Sequence, residues 1–400
     1  MFPRPQYLDL LVKFKDTEFI KVITGVRRSG KSVLMQLYKS YLEEQGISSS
    51  QIIYINLEGF EYQSITSAEA LSALLKPLLE GMTGRFYLLI DEIQFVEGWQ
   101  KVINGIRVSF DCEIVLTGSN ASMLSGELAT LLSGRYIEIP VYPLSFKEFL
   151  VAKGIDQHDR MVDRAYEEYE RYGGFPSVVM AEELLKDTIL SGIFDTIILN
   201  DIGARYGIKD PVNLRRIVSF MADNVGQLIN ANKIANVLKN EQLSITTPTI
   251  MRYLDLFESA YLFYQARQYD IRGKDYLRTN GKYFMVDNGL RRHAVGHKEA
   301  NYSNRLENLV YMELKRRGYT VDVGKIDQAE IDFIARKVDE VMYVQVAYDL
   351  PNNTHESDNL LRIPDNYKKI IITGRYRPEK EVDGIPIQYV VDWLLDEEFN

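Results

Sequence analysis

The sequence predicts an α/β fold built on a parallel sheet, and three observations carry that expectation. Apolar runs of strand length alternate with helical periodicity from residue 19 to residue 120. The first run, FIKVIT (19–24), passes directly into the glycine-rich stretch GVRRSGKS (25–32). A later run, FYLLIDEIQ (86–94), ends in two adjacent carboxylates. Strands that alternate with helices form βαβ units, and those units stack into a parallel sheet.

The totals bound what surrounds this sheet. A chain of 400 residues is too long for one core, so two or more domains are expected. Hydrophobic content of 46% with 26% charged residues is globular, not disordered, composition. The formal net charge of −9 argues against a protein that holds nucleic acid over most of its surface. The single cysteine, Cys112, excludes an internal disulfide. With no signal peptide at the Met-Phe-Pro-Arg start, a cytoplasmic location is expected. No apolar run reaches the roughly 20 residues a membrane helix needs. His293 and His297 can share a helix face but have no third ligand nearby, so no zinc site is expected.

GVRRSGKS fits Gly-x-x-x-x-Gly-Lys-Ser/Thr, the P-loop. Gly25 and Gly30 let the backbone bend so that successive N–H groups converge on a phosphate. Val26, Arg27, Arg28 and Ser29 fill the loop between them. Lys31 brings a mobile ammonium to the β/γ-phosphates and Ser32 offers a hydroxyl to Mg²⁺. Val33 opens a helix, to Glu44, whose positive N-terminus faces the same anion. A strand (52–58) and a helix (67–80) follow before FYLLIDEIQ. In that run Asp91 is the expected Mg²⁺ partner through water, and Glu92 the group that polarises the attacking water. CEIVLTGSN (112–120) is a third strand, with Ser119 and Asn120 expected beside the γ-phosphate as a sensor. Arg135, on a turn before the strand in SGRYIEIPVYP, is a candidate arginine finger in its own or a neighbouring subunit; a surface arginine is the plain alternative.

ITGVRRSGKS, LLIDEIQ, VLTGSN, SGRYIEIPVYPLSF and YGGFP together resemble the bacterial and archaeal AAA-type ATPases that carry a C-terminal domain of unknown function, relatives of the archaeal ATPase, STAND and origin-recognition groups. The resemblance implies an ATP-binding core, a helical lid, a winged helix and a nuclease-like C-terminal fold. It also implies that Pro176, in Gly174-Phe175-Pro176, approaches the nucleotide from the lid.

The expected domains are a core at 1–144, a helical lid at 145–224, a winged helix at 225–298 and a nuclease-like domain at 299–400. Residues 145–222 show amphipathic helices broken once by YGGFP. The stretch NKIANVLKNEQLSITTPTIMRYLDLFESAYLFYQAR (232–267) reads as helix, turn, helix, with Thr247 as N-cap and Pro248 at the first helical position. A hairpin through Thr279-Asn280-Gly281 completes the pattern. From 262 to 292, Arg267, Arg272, Lys274, Arg278, Lys282, Arg291 and Arg292 outnumber Asp270, Asp275 and Asp287, leaving the segment locally +4 and a candidate DNA contact. The outward face of the second helix (Thr249, Arg252, Asp255, Glu258) is poor in base-reading residues. After residue 300 the order of elements resembles the PD-(D/E)xK nuclease fold, with Glu307, Asp332 and Gln345 in the acidic positions. Gln345-Val346-Ala347 lacks both the acid and the lysine of the third position, so a degenerate, non-cleaving fold is expected.

The functional expectation is a Mg²⁺-dependent ATPase of switch or motor type that binds ATP and ADP, with a possible homo-oligomer. An ATP-regulated DNA-binding protein and an ATP-gated nuclease are the rivals.

Overall fold

The computed structural model describes residues 2–124, 134–208, 210–240, 243, 245–296, 301–350 and 355–396. The chain forms two compact units: Met1–Tyr142 with Ser259–Tyr261, and Pro143–Glu258 with Leu262–Asn400.

The first unit is a five-stranded, all-parallel sheet. Strands β1 (Ile20–Thr24), β2 (Ile52–Asn56), β3 (Phe86–Asp91), β4 (Cys112–Gly118) and β5 (Tyr136–Pro140) lie in the order β2-β3-β4-β1-β5. β1 and β3 are buried along their whole length, which is why they read as continuous apolar runs rather than alternating ones. Helices α1 (Pro5–Lys13) and α2 (Lys31–Glu44) cover one face through Tyr7, Leu11, Leu34, Tyr38 and Leu42. Helices α3 (Ala68–Glu80) and α4 (Trp99–Ser109) cover the other through Leu71, Leu75, Trp99 and Ile103. β4 separates β1 from β3, so the carboxyl ends of β1, β4 and β3 stand side by side. In open parallel sheets ligands bind at such ends, where connections diverge to opposite faces.

The second unit opens with helices α5 (Phe146–Lys153) and α6 (Val162–Tyr172). Ser145 and Glu148 start α5 with a reciprocal capping box. The YGGFP turn follows α6. Gly174 O accepts from Leu144 N at 2.7 Å, and Gly174 N donates to Asp287 Oδ2 at 2.7 Å. Pro176 opens one helical turn, Pro176–Val179. Helix α7 (Glu183–Thr196) runs into a π-helical stretch, Ile197–Ala204, before α8 (Pro211–Asp223).

Helices α9 (Ala231–Asn240) and α10 (Thr247–Ser259) stand where the two helices are expected. Ile250, Leu254 and Phe257 are buried, as the periodicity predicts. The cap sits one residue earlier than expected: Thr246 Oγ1 accepts from Thr249 N at 3.4 Å. The hairpin also differs. β6 (Phe263–Asp270) and β7 (Asp275–Met285) pair antiparallel, and the turn is at 271–274 rather than at Thr279-Asn280-Gly281. The physical reason is the sheet. Gly281 pairs with Arg267 at the edge of a register shift, and β6 stays extended to Asp270 because Gln268, Tyr269 and Asp270 also pair in parallel with Val323, Gly324 and Lys325.

β6 pairs in parallel with β8 (Thr320–Ile326), so the hairpin is one edge of an eight-stranded sheet that includes the C-terminal strands. The expected division at 298/299 therefore does not coincide with a break in this sheet. Helix α11 (Asn288–Val295) follows β7, and the largely buried α12 (Tyr302–Arg316) leads into a meander of β8, β9 (Ala329–Arg336) and β10 (Val341–Ala347). Helix α13 (His355–Leu361) then returns the chain to β11 (Lys368–Thr373), parallel to β10. Among the described residues no helix is long and apolar enough to cross a membrane.

Candidate nucleotide-binding site

The P-loop leaves β1 at Thr24 and enters α2 at Lys31. Its bends are carried by Gly25 at φ +135°, Arg28 at +65° and Gly30 at +104°. A Cβ on Gly25 would lie 2.1 Å from Val141 O, so only glycine fits there. Val26 is buried beneath the loop. Arg27 is half-buried and paired with Glu58, Arg28 is exposed, and Val33 faces outward. Helix α2 begins without a side-chain cap and without an acid in its first turn. Its free N–H groups and positive end are therefore available to an anion.

Lys31 is 3% exposed. Its Nζ donates to Gly25 O at 3.0 Å and Val26 O at 3.1 Å, and lies 3.9 Å from Glu92 Oε1. The Ser29 hydroxyl is buried without a hydrogen-bond partner. Asp91 ends β3 beneath the loop, and its Oδ1 accepts from Thr117 Oγ1 on β4. Its Oδ2 is buried and unpartnered. Burial raises the proton affinity of Asp91, partly offset by the hydroxyls of Thr117 and Ser32. An orphaned carboxylate oxygen close to the P-loop serine suits a hydrated divalent cation, so Ser32 and Asp91 fit Mg²⁺ and the loop fits a polyphosphate.

Glu92 sits beside Asp91 in the left-handed conformation, φ +57°. Its N–H donates to Thr117 Oγ1 at 2.9 Å. Ser119 and Asn120, at the end of β4, are buried, and Ser119 Oγ reaches Glu92 Oε2 at 3.4 Å. The structure thus brings Lys31, Ser32, Asp91, Glu92 and Ser119 together, with Asn120 next in line. It does not bring Arg135 to them. Arg135 precedes β5 and is exposed, with Nε 3.8 Å from Glu18 Oε2. Because Tyr136 aligns with Ile20 and Pro140 with Thr24, roughly 16 Å of strand separates Arg135 from the P-loop end of the sheet. Pro176 lies in the second unit.

Three supports were not legible in the sequence. Thr117 ties the Asp91 carboxylate and the Glu92 main-chain N–H to β4, and only its place before Gly-Ser-Asn hints at a role. Arg4 is 3% exposed and donates to Ser29 O and Tyr142 O, each at 3.0 Å, with its guanidinium 4.5 Å from the Tyr7 ring centroid. Glu138 on β5 accepts from Thr24 Oγ1 at 2.7 Å and from Tyr261 at 3.2 Å, just before the loop.

In the second unit, Glu307 (α12), Asp332 (β9) and Gln345 (β10) do converge. Asp332 N donates to Gln345 Oε1 at 3.4 Å. The centre of the group is Lys282 from β7, 2.7 Å from Glu307 Oε1, 2.7 Å from Glu330 Oε1 and 3.4 Å from Asp332 Oδ1. Burial opposes the ammonium charge, but the three carboxylates outweigh it and raise the lysine's proton affinity. Burial likewise holds the Glu307 carboxyl above its usual range. Among the described residues no group of three His, Cys, Asp or Glu side chains is arranged to hold a metal ion.

The basic segment 262–292 is only partly interior: Arg267, Arg272 and Lys274 are exposed. Lys282 and Arg291 are buried. Arg272 pairs with Asp327 and Arg292 with Asp187, and Arg267 lies over the Tyr276 ring. The Arg278 side chain falls outside the described residues.

A parallel sheet in this strand order, with a P-loop after β1 and paired acids after β3, defines an AAA-type P-loop ATPase domain that binds nucleotide. Comparison with known proteins agrees. The AAA domain family matches residues 17–150, and a domain of unknown function (DUF8612) matches 163–301. An uncharacterized protein of Haemophilus influenzae is 63% identical over 99% of both chains. One of Methanocaldococcus jannaschii is 31% identical over 85% of this chain and 77% of its own. The chain belongs to their family, the AAA-type ATPases with a C-terminal domain of unknown function. Among solved structures, a Walker-type ATPase of Pyrococcus abyssi is 14% identical, covers 74% of this chain and 96% of its own, and has a TM-score of 0.49.

Proposed function

We propose that the protein is a Mg²⁺-dependent ATPase whose nucleotide state moves the helical lid 145–224 and the winged-helix-like segment 225–298. The observation that carries this reading is a set of unspent groups around one loop: the uncapped N-terminus of α2, the orphaned Ser29 hydroxyl and the orphaned Asp91 Oδ2. When bound, Mg²⁺ neutralises phosphate charge and orients the γ-phosphoryl group. Gly25 to Val33 hold the phosphates through main-chain N–H groups. Lys31 leaves its two loop carbonyls for the phosphate oxygens, Ser32 and Asp91 hold the ion, and Glu92 orients the water. Asn120 senses the γ-phosphate, and Pro176 is the lid's contact with nucleotide. The place of Arg135 at the far end of β5 favours action on a neighbouring copy over action in its own subunit.

The C-terminal sheet is proposed to be a degenerate nuclease-like fold. Lys282 occupies the centre of the acidic group, where a catalytic cation would be needed, which favours a binding or assembly role over cleavage. Burial of Lys282 and Arg291 takes two of the seven cations away from a phosphate backbone, which weakens the DNA-binding alternative but leaves Arg267, Arg272 and Lys274 on the surface.

ATP turnover tests the main reading. Lys31→Ala and Glu92→Gln should each lose roughly 100-fold or more. Lys31→Ala that binds and hydrolyses ATP like wild type would refute it.

A further inference from the structure

We propose that Gln94, together with Ser119, is the positioning device that aims the Glu92 carboxylate. This rests on the reading of Glu92 as the residue that orients the attacking water.

The two oxygens of Glu92 have different surroundings. Oε2 accepts from Gln94 Nε2 and, at 3.4 Å, from Ser119 Oγ. Gln94 Nε2 also lies 3.2 Å from Ser119 Oγ, so the three groups close a triangle. Oε1 is turned the other way, 3.9 Å from Lys31 Nζ, the ammonium that attends the phosphates. One oxygen is therefore anchored, and the other faces the place where a γ-phosphoryl group and its attacking water would be.

The main chain is fixed as well. Glu92 holds φ +57°, an uncommon conformation for a side-chain-bearing residue, and its N–H is tied to Thr117 Oγ1 at 2.9 Å. With the backbone pinned, the remaining freedom is rotation of the side chain, and the donors on Oε2 remove it. The amide orientation follows from charge. The flipped amide would set its oxygen against a carboxylate, so the nitrogen must face Glu92.

The neighbouring strand makes room for this arrangement. A Cβ on Gly118, the last residue of β4, would lie 2.7 Å from Gln94 Oε1 and 1.9 Å from Met123 Sδ. Gly118 and Ser119 at the end of β4 thus complete what Glu92 and Gln94 begin at the end of β3. A carboxylate that orients water is effective only in a narrow range of geometry, and residues that hold such a group typically contribute 10- to 100-fold.

The experiment is a mutant cycle on the full chain, read by single-turnover ATP hydrolysis and by titration with a fluorescent ATP analogue. Gln94→Ala, and Gln94→Glu as the isosteric variant that keeps the volume, should lower kcat roughly 10-fold or more. Nucleotide affinity should stay within about two-fold, because the Gln94 amide donates to Glu92 and Ser119, not to a group that holds the phosphates or the ion. On a Glu92→Ala background, Gln94→Ala should cause no further loss, because it acts through Glu92 alone. Multiplicative losses on that background would show a merely structural role and overturn the proposal. A severe defect in Glu92→Ala beside wild-type kcat in both Gln94 variants would overturn the positioning role and leave the ATPase reading intact. Wild-type turnover in Glu92→Ala would overturn the reading of Glu92 itself.

Discussion

Arg4→Met should loosen the P-loop from behind. Arg4 donates to Ser29 O inside the loop and to Tyr142 O beyond β5, both at 3.0 Å, from a site 3% exposed. A hydrogen bond from a charged donor contributes about 1.5–3 kcal/mol, so the pair contributes about 3–6 kcal/mol before any repacking. Methionine keeps part of the contact with Tyr7 and leaves little cavity, which puts the expected net loss near 3 kcal/mol. If about 1.4 kcal/mol of that falls on the loop's phosphate-ready conformation, apparent ATP affinity drops about tenfold. The two tryptophans make the loss measurable unit by unit: Trp99 is buried in the first unit and Trp393 in the second. On a Trp393→Phe background, urea unfolding followed by Trp99 fluorescence should show an earlier midpoint for Arg4→Met, and a fluorescent ATP analogue should bind more weakly. An unchanged midpoint together with unchanged affinity would refute the argument that this guanidinium holds the loop.

Two further expectations concern the second unit. Lys282→Met should destabilise it by about 3–5 kcal/mol, because three carboxylates lose their buried cation; the loss should be larger at pH 8 than at pH 5, where the Glu307 carboxyl, held above its usual range by burial, is protonated and needs no cation, and unfolding reported by Trp393 measures both. Glu258 on α10 is pushed up to about 7 by burial, with Asp255 adding to the shift, against 4.5 in the unfolded chain. Its folded form therefore prefers the proton, and stability falls as pH rises from about 4.5 to 7 and is flat above. Glu258→Gln should abolish that slope and stabilise the protein at pH 8 by about 3 kcal/mol at most. A slope that persists in the variant, seen in unfolding across pH 4.5–8, would assign it to another group.

The sequence by itself determined the parts whose chemistry is contiguous along the chain. GVRRSGKS builds its cradle from successive main-chain N–H groups, and the acids of FYLLIDEIQ follow directly on a buried strand, so neighbours in sequence are neighbours in space. Tertiary structure alone decided what supports them. Arg4 meets Tyr142 across 138 positions, Gln94 meets Ser119 across 25, and Lys282 meets Asp332 across 50. Such contacts depend on strand order and register, which local propensity does not encode. Register also moved the hairpin turn from Thr279-Asn280-Gly281 to 271–274: β6 stays extended to Asp270 because it pairs there with β8, distant in the chain. It also turned Lys282, by composition a candidate phosphate contact, into the buried counter-charge of three acids, because β7 is enclosed on both faces there, Tyr283 and Phe284 included, and Glu307, Glu330 and Asp332 reach Lys282 from other elements.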